Sequence, residues 1–414
     1  NLFTSGKMNK DLDERLVPKG EYRDALNVKI ANSNGSDVGA IENALSNSKI
    51  SNISFGSGAK CIGVVEDDAS GRIYWAVASS VGSYICEFVK ETNESTILLS
   101  DIRNSASNIL KFDEVRNLSM SILNDAENNK RFLITTDDKT EPKYFEIETA
   151  RSLVDSAFLL EDVSLIKMSP LTAPVISLEE TDDSEENNIE DKFFSFSYRY
   201  IYEHGEVSAL APFSDFAFMP KDFRYDYNSG TNKSMFNKYN KVNIDFNTGS
   251  GNVKKIEIIA KESGVSTAYI VEKLDKSNKG WSNNSQQTFS FTNGKIYKAL
   301  PSSQLLRLYD NVPIRAKSVE IIGGRVVFGN YTENYDISNN FTEITPSILL
   351  NYSSTSGTKG IGHKTVKTNM DYEVGVAYLD GKGRMTTPLT SEGNTVHIPI
   401  NKCDQKNSIS VGIS

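Results

Sequence analysis

Short alternating segments punctuated by turn residues recur along this chain, and they leave little room for helices. In the first copy, residues 61–65 are apolar, 66–71 form an acidic turn, 72–77 (RIYWAV) alternate, and 84–89 (YICEFV) follow a short gap. The second copy has 120–123, a polar turn at 124–130, then 131–136 (RFLITT), a turn at 137–142, and 143–147 (KYFEI). Period and turn chemistry make each copy strand–turn–strand–turn–strand. A partial third copy comes much later, as 319–322, Gly323-Gly324 and 325–330. Such meanders cannot bury both faces alone, and radial stacking is the usual solution, so the repeats predict a β-propeller or part of one. Helix content is expected to be small, with 148–158 the best candidate.

Residues 173–310 interrupt that series. Strand patterns at 193–202, 207–218, 241–246, 254–260 and 268–273, each flanked by Gly, Asn or Ser, have the spacing of a β-sandwich. The pattern recurs. Residues 198–212 (YRYIYEHGEVSALAP) and 374–388 (VGVAYLDGKGRMTTP) align at an offset of 176, with Tyr202 on Tyr378, Gly205 on Gly381 and Pro212 on Pro388. A hairpin needs a turn-forming Gly at its tip and tolerates Pro near an edge. The expected fold is therefore all-β: a partial β-propeller platform with inserted fibronectin/Ig-like β-sandwich domains. Its expected parts are an N-terminal arm and first strand (1–57), propeller blades (58–172), an inserted sandwich (173–310), a return to propeller (311–345) and a second sandwich (346–414). The final SISVGIS (408–414) reads as a strand with no partner left, which predicts that the second sandwich is incomplete and the chain continues.

Composition narrows the function. Hydrophobic residues are only 38% of the 414, yet 18 Tyr and 20 Phe argue against a disordered chain. With 45 basic and 54 acidic side chains the net charge is −9, so the molecule as a whole is no electrostatic glove for nucleic acid. No apolar run approaches the roughly 18 residues of a membrane helix, and the polar start shows no signal peptide. Cys61, Cys86 and Cys403 match no zinc spacing and no disulfide framework. His204, His363 and His397 are isolated; His204 is expected exposed at a hairpin tip, His363 in a connector, and His397 outward on a strand. Asp67-Asp68 and Asp137-Asp138 occupy equivalent turns, and a pair of carboxyls near Tyr74 and Trp75 would suit a glycosidase. Asp is also a turn-former, which is the favoured reading. The acidic run 179–191 lacks the alternating ligands and central Gly of a calcium loop, so a solvated linker is favoured over calcium or a basic partner. No catalytic residue, cofactor or metal is expected.

Two segments stand out as contact candidates. The loop 219–241 is locally basic and aromatic: Lys221, Arg224, Lys233, Lys238 and Lys241 interleave with Phe223, Tyr225, Tyr227, Phe236 and Tyr239. A loop this long is usually functional or mobile, and basic groups with aromatics also grip single strands. An assembly contact comes first, a nucleic-acid or lumen contact second, and disorder third. The charged segment 6–30, GKMNKDLDERLVPKGEYRDALNVKI, has a turn at 17–20 and an alternating end. Physics alone favours a solvated extension over a docking arm.

That segment carries a family resemblance. Gly6, Met8, Asn9, Asp11, Arg15, Leu16, Pro18, Gly20, Tyr22, Asn27 and Val28, followed by Gly39-Ala40-Ile41-Glu42-Asn43, look like the N-terminus of the tail nozzle and DNA-stabilisation proteins of short-tailed phages. KRFLITTDDKTEPKYFEI (130–147) is similar to a recurring blade segment of those proteins. The Asn/Lys/Ser-rich style and the sandwich insertions resemble crAss-like phages of gut bacteria, whose equivalent protein is called the muzzle. The resemblance is specific over 6–45, moderate over 58–150 and 311–335, and architectural elsewhere. It implies a non-enzymatic virion protein made in the host cytoplasm. Six copies would form a ring below the portal and adaptor rings, beside tail fibres or other tail proteins, around a channel in transient contact with genomic DNA. Acidic or neutral walls would let DNA slide where basic ones would brake it. The arm then becomes a docking element, with Met8, Asn9, Asp11, Arg15, Leu16, Pro18, Gly20 and Tyr22 as its motif. The alternative class is a propeller-based glycan-binding or glycan-cleaving protein; an adhesive surface protein is weaker still.

Overall fold

Tight turns divide the chain into short strands, and several rest on asparagines that tolerate left-handed backbone. Asn93 and Asn129 close two of the hairpins at φ of 55° and 51°. A computed structural model describes every residue except 1–4, 6, 31–40, 44–52, 105, 152, 154–157, 181–185, 334–336, 340–341, 344–345, 355–365 and 403–407. Gly6, Gly39, Ala40, His363, Cys403 and the centre of the acidic run therefore lie outside the described residues. The chain is 43% strand and 4% helix, which makes it all-β. It forms two compact units: Asn1–Ser54 with Phe88–Thr96, and Phe55–Glu87 with Ile97–Ser414.

Strands Lys60–Asp67, Arg72–Ala78, Ser83–Val89 and Glu94–Asp101 form one sheet in sequential order. Strands Ser119–Asp125, Lys130–Thr136 and Lys143–Glu146 form a second, again sequential. The first sheet has a fourth strand that its sequence, ESTILLSD, did not announce by alternation. Among the described residues of the helix expected over 148–158, one turn is present, Ile147–Ala150, and a second turn follows at Leu160–Val163. The two meanders share a core in which Ile62, Tyr74, Ile85 and Leu99 pack with Leu118, Leu133, Phe145 and Ile147. Gly63 allows the close approach: a Cβ there would lie 2.4 Å from the Leu118 carbonyl oxygen. The hairpin Arg315–Ile322/Arg325–Thr332 leans on the second sheet, where the Ala316 carbonyl accepts from Asp138 N (2.8 Å) and Thr136 Oγ1 (2.7 Å).

A buried ionic network ties the same two meanders. Glu87, 1% exposed, accepts from Arg72 Nη1 (2.6 Å) and Tyr74 Oη (3.0 Å) of its own sheet. It also accepts from Arg151 Nη2 (2.5 Å), which follows the second sheet. Arg131 reaches back to Asp67 (3.4 Å) and holds Glu148 (2.6 Å). Burial alone would raise the Glu87 carboxyl, but hydrogen bonds from Arg151 and Arg72 and their charge hold it below its ordinary 4.5.

Residues 175–299 build two facing sheets. Val175–Glu179, Lys241–Asn247 and Gln286–Phe291 form one; Phe194–Tyr202, Val253–Glu262, Ala268–Asp275 and Lys298–Ala299 form the other. Their shared core is aromatic: Phe194, Phe196, Tyr198 and Tyr200 of one sheet meet Phe246 and Phe291 of the other. All nine residues of Phe194–Tyr202 are buried, because Ser195, Ser197 and Arg199 are covered on the outer face. There Arg199 pairs with Glu257 (2.7 Å) and donates to Gln304 (2.7 Å). Segment 207–217 runs along the edge of this strand in three-residue steps, with Ser208, Ala211, Ser214 and Ala217 donating to Tyr200, Tyr198, Phe196 and Phe194. Such bulging bends an edge away from further pairing.

In the last part of the chain, two expectations are corrected. The strand Ser408–Ile413 does have a partner, Ile348–Ser353, paired from Ile348↔Ile413 to Ser353↔Ser408, so its reading as an unpaired strand falls away. The hairpin repeat is present but at an offset of 178, not 176. Ile201↔Val207 becomes Leu379↔Met385. The bond Tyr200 N to Ser208 Oγ (3.0 Å) becomes Tyr378 N to Thr386 Oγ1 (3.1 Å). Positive φ falls on Gly205 (89°) and Gly383 (82°), and Gly381 is not among the positive-φ residues. The second tip has two glycines, and the backbone requires the later one.

Removing one partner from a buried ion network leaves uncompensated charge. Glu87→Ala should cost about 3 kcal/mol in urea unfolding, against under about 0.5 kcal/mol for the exposed Glu127→Ala. Because the folded Glu87 pKa is depressed, its contribution is present above pH 4.5 and lost as pH falls through the lower folded value. The wild-type advantage over Glu87→Gln should therefore shrink on acidification below pH 4.5.

Candidate functional site

The N-terminal motif folds back on itself. Met8 and Tyr22 form a parallel bridge in which Asn9 N donates to the Tyr22 carbonyl (2.9 Å) and Tyr22 N to the Lys7 carbonyl (3.1 Å). Ser5 N donates to the Gly20 carbonyl, and a turn closes from Glu21 N to the Pro18 carbonyl, both at 3.1 Å. Gly20 sits at φ 94°, where a side chain is strained. Asn9 Nδ2 holds Glu21 (2.8 Å) while its Oδ1 accepts from Leu12 N (3.4 Å). Asn9, Pro18, Gly20 and Tyr22 thus shape the loop. Asp11, Arg15 and Leu16 are exposed, and Met8, Leu12, Leu16 and Leu26 present 49%, 40%, 67% and 83% of their surface. The loop is thus closed by its own hydrogen bonds while these aliphatic side chains stay exposed.

The basic aromatic loop is an ordered hairpin. Tyr225–Asp226 pairs with Thr231–Asn232 around a turn in which Asp226 accepts from Asn228 N (3.2 Å) and Ser229 Oγ (2.7 Å). Its base hangs on Asn237, which is fully buried. Asn237 Nδ2 donates to the Ile189, Lys192 and Ala217 carbonyls (2.9, 3.1 and 3.2 Å), and its Oδ1 accepts from Met219 N (3.0 Å). The lysines are engaged at home: Lys221 with Glu190, Lys233 with Asp226 (3.0 Å), and Lys238 over the Tyr239 ring (5.8 Å). Arg224, Tyr225 and Phe236 are exposed.

Sequence reading missed a third region, where both repeated hairpin tips dock on the second meander and the segment after it. At the first tip, His204 lies edge-on to Phe132 (4.9 Å), with Lys130 Nζ 3.2 Å from its Nδ1. It is therefore half-buried, not exposed as expected; burial first, then the Lys130 charge, pushes its pKa down against the pull of Glu206 and Glu146. Glu206 faces Lys167 (3.7 Å), which also lies over the Tyr144 and Tyr202 rings. The second tip places Lys382 on Glu141, with Ser164 Oγ at 3.2 Å, and sets Gly383 against Leu171 and Ser169. Position 204 of the first tip corresponds to 382 of the second, and position 206 to 384. The tips carry His and Glu in one, Lys and Arg in the other, and their contacts differ accordingly: Lys382 meets Glu141, whereas Arg384 pairs with Asp380 of its own tip (2.7 Å). A cavity of about 390 Å³ lies beside the second tip.

The residues considered for chemistry have structural work. Asp67 accepts from Ser70 (2.5 Å) and pairs with Arg131. Although its burial raises the carboxyl, hydrogen bonds from Ser70 and Arg131 hold it below its ordinary value, opposite to what a general acid needs. Asp137 caps its own turn, accepting from Lys139 N (3.0 Å) and Thr140 N (2.7 Å). His397 is exposed as expected and bonds Asp371 (2.7 Å). Cys86 is buried, which pushes its thiol up to about 12, while Cys61 is exposed. Within the acidic run, Glu179 pairs with Lys241 (3.0 Å) and Glu190 with Lys221. Among the described residues, no group of three or more His, Cys, Asp or Glu is placed to hold a metal ion, and no helix is long and apolar enough to cross a membrane.

No protein-family model matches the chain, and no curated protein matches it either. Function must be read from the residues themselves.

Lys382→Glu should destabilise docking of the second tip, and Glu141→Lys should restore it. A double-mutant cycle in urea is expected to give a coupling of about 1–2 kcal/mol. Additive losses would mean that the pair contributes nothing.

Proposed function

We propose that this chain is a structural tail protein of a phage, a nozzle or muzzle component that assembles as a ring around the DNA channel. In this reading the two meanders and the hairpin 315–332 are neighbouring blades of a partial β-propeller, and residues 173–310 and 346–414 are fibronectin/Ig-like sandwiches set on it. The observation that carries the reading is the N-terminal motif. Residues that resemble the phage family divide into a set that closes the loop (Asn9, Pro18, Gly20, Tyr22) and a set left exposed (Asp11, Arg15, Leu16). A solvated extension needs neither the closure nor the displayed aliphatic side chains. The partners are further copies of the chain, portal-adaptor ring proteins and other tail proteins, with DNA passing through. The chain acts without catalysis, cofactor or metal, and it resides in the virion.

The paired Asp turns give the glycan-cleaving alternative little support, since Asp67 is ion-paired and held below its ordinary value. Trp75, its stacking candidate, packs partly buried against Val77, Tyr84 and Cys86.

The arm decides between these classes. Leu12→Asp with Leu16→Asp should leave the thermal transition within a few degrees of wild type, because both side chains are exposed. The same change should abolish rings in negative-stain images and incorporation into particles. Rings that form equally well would remove the arm from the contact; a wild-type chain that never enters rings or particles, or glycan-array binding lost with Asp67→Ala or Trp75→Ala, would overturn the reading.

A further inference from the structure

We infer that the cavity between the turn 79–83 and the loop 102–112 binds a small phosphate monoester. The inference concerns the single chain and does not depend on the proposed ring. The cavity measures about 330 Å³, the size of a small-ligand site. Arg103, Lys111 and Lys139 line it together with serines and asparagines, and among the described residues no carboxylate does.

Unspent donors, rather than summed charge, select the ligand. Arg103 and Lys139 have carboxylates of their own, Asp101 (2.7 Å) and Asp113 (3.3 Å). Lys111 pairs with no carboxylate among the described residues, and its side chain is exposed. Its backbone is nevertheless fixed. Lys111 sits at φ 53°, and every other positive-φ position described is Gly, Asn or Asp. A lysine rarely adopts that conformation, and such residues persist only where the surroundings hold them, often at functional sites. Here Lys111 N donates to Asn108 Oδ1 (2.6 Å), and Asn108 is itself buried, with its Nδ2 donating to the Asp101 carbonyl (3.0 Å). Arg103 is anchored as firmly. Its Nη1 donates to the Phe158 carbonyl (2.9 Å) and its guanidinium lies over the Phe158 ring (4.4 Å), while its buried Nη2 makes no hydrogen bond. Asn104 adds an amide, oriented because its Oδ1 accepts from Ser107 N (3.0 Å) and Ser107 Oγ (2.7 Å). A phosphate monoester brings three acceptor oxygens and close to two charges, which suits cationic donors on more than one wall. The phosphodiester of a nucleic-acid strand brings one charge and is the poorer fit.

The test uses the full chain in low-salt buffer without phosphate. Calorimetric titration should show one glycerol 3-phosphate bound per chain, with affinity falling as pH drops through about 6, where a phosphate monoester loses its second charge. Lys111→Asn removes the ammonium but keeps a residue that tolerates left-handed backbone. It should raise the dissociation constant at least roughly tenfold, the loss of one charge-assisted hydrogen bond, with Tm unchanged. Lys139→Met should weaken binding in the same direction, and Lys279→Asn, on an exposed turn elsewhere, should leave it unchanged. No heat from the wild-type chain at millimolar glycerol 3-phosphate, or equal affinity in wild type and Lys111→Asn, overturns the inference. Displacement of the monoester by a single-stranded oligonucleotide without a terminal phosphate, at lower concentration than inorganic phosphate requires, would overturn it in favour of a nucleic-acid backbone.

Discussion

Among the described residues no sheet is large enough to cover itself, and that constraint organises the molecule. Sheets of two to four short strands must lean on a neighbour to bury a face. The first two meanders do so through one apolar core and through Glu87, whose carboxylate is shared between Arg72 of its own sheet and Arg151 beyond the other. Leaving that charge unpaired would be costly, so the network works against any parting of Arg151 from the first sheet. The facing sheets of 175–299 use aromatic bulk instead, with Phe291 wedged edge-on between Phe194 and Phe196.

The same economy governs how the parts join. Two hairpins of one design, 178 residues apart, rest their tips on the second meander and the segment after it through different charged residues. His204 with Glu206 meets Lys130 and Lys167, and Lys382 meets Glu141.

Much of this was legible in the sequence, and the misses have physical causes. Alternation located both meanders and Phe194–Tyr202, since period two survives in any half-buried strand. It missed Glu94–Asp101, whose apolar residues cluster at its buried end. The hairpin repeat was visible, but the register slipped by two because Gly381 and Gly383 look alike in sequence and only φ separates them. SISVGIS was read as unpaired because its partner, Ile348–Ser353, lies some way back along the chain. Of the candidate contacts, the 219–241 loop was singled out by its basic and aromatic composition and the arm by its family resemblance, since physics alone favoured a solvated extension. The docked tips were not, because the pairing of Lys382 with Glu141 spans most of the chain and leaves no local signal.

Function follows from what remains exposed once these demands are met. The acids at the turns and the buried thiol are used internally, while aliphatic side chains of the arm and aromatic ones of the hairpin 219–236 stay in solvent. On the proposed reading, these exposed surfaces are the ones through which the chain assembles. The proposed virion role has a direct measurement: gold-labelled antibody against this chain, imaged in the electron microscope on phage particles recovered from the chain's source. The account predicts label confined to the tail tip, with the chain recovered from the particles in several copies per virion. Particles that infect normally yet carry neither label nor chain would contradict it.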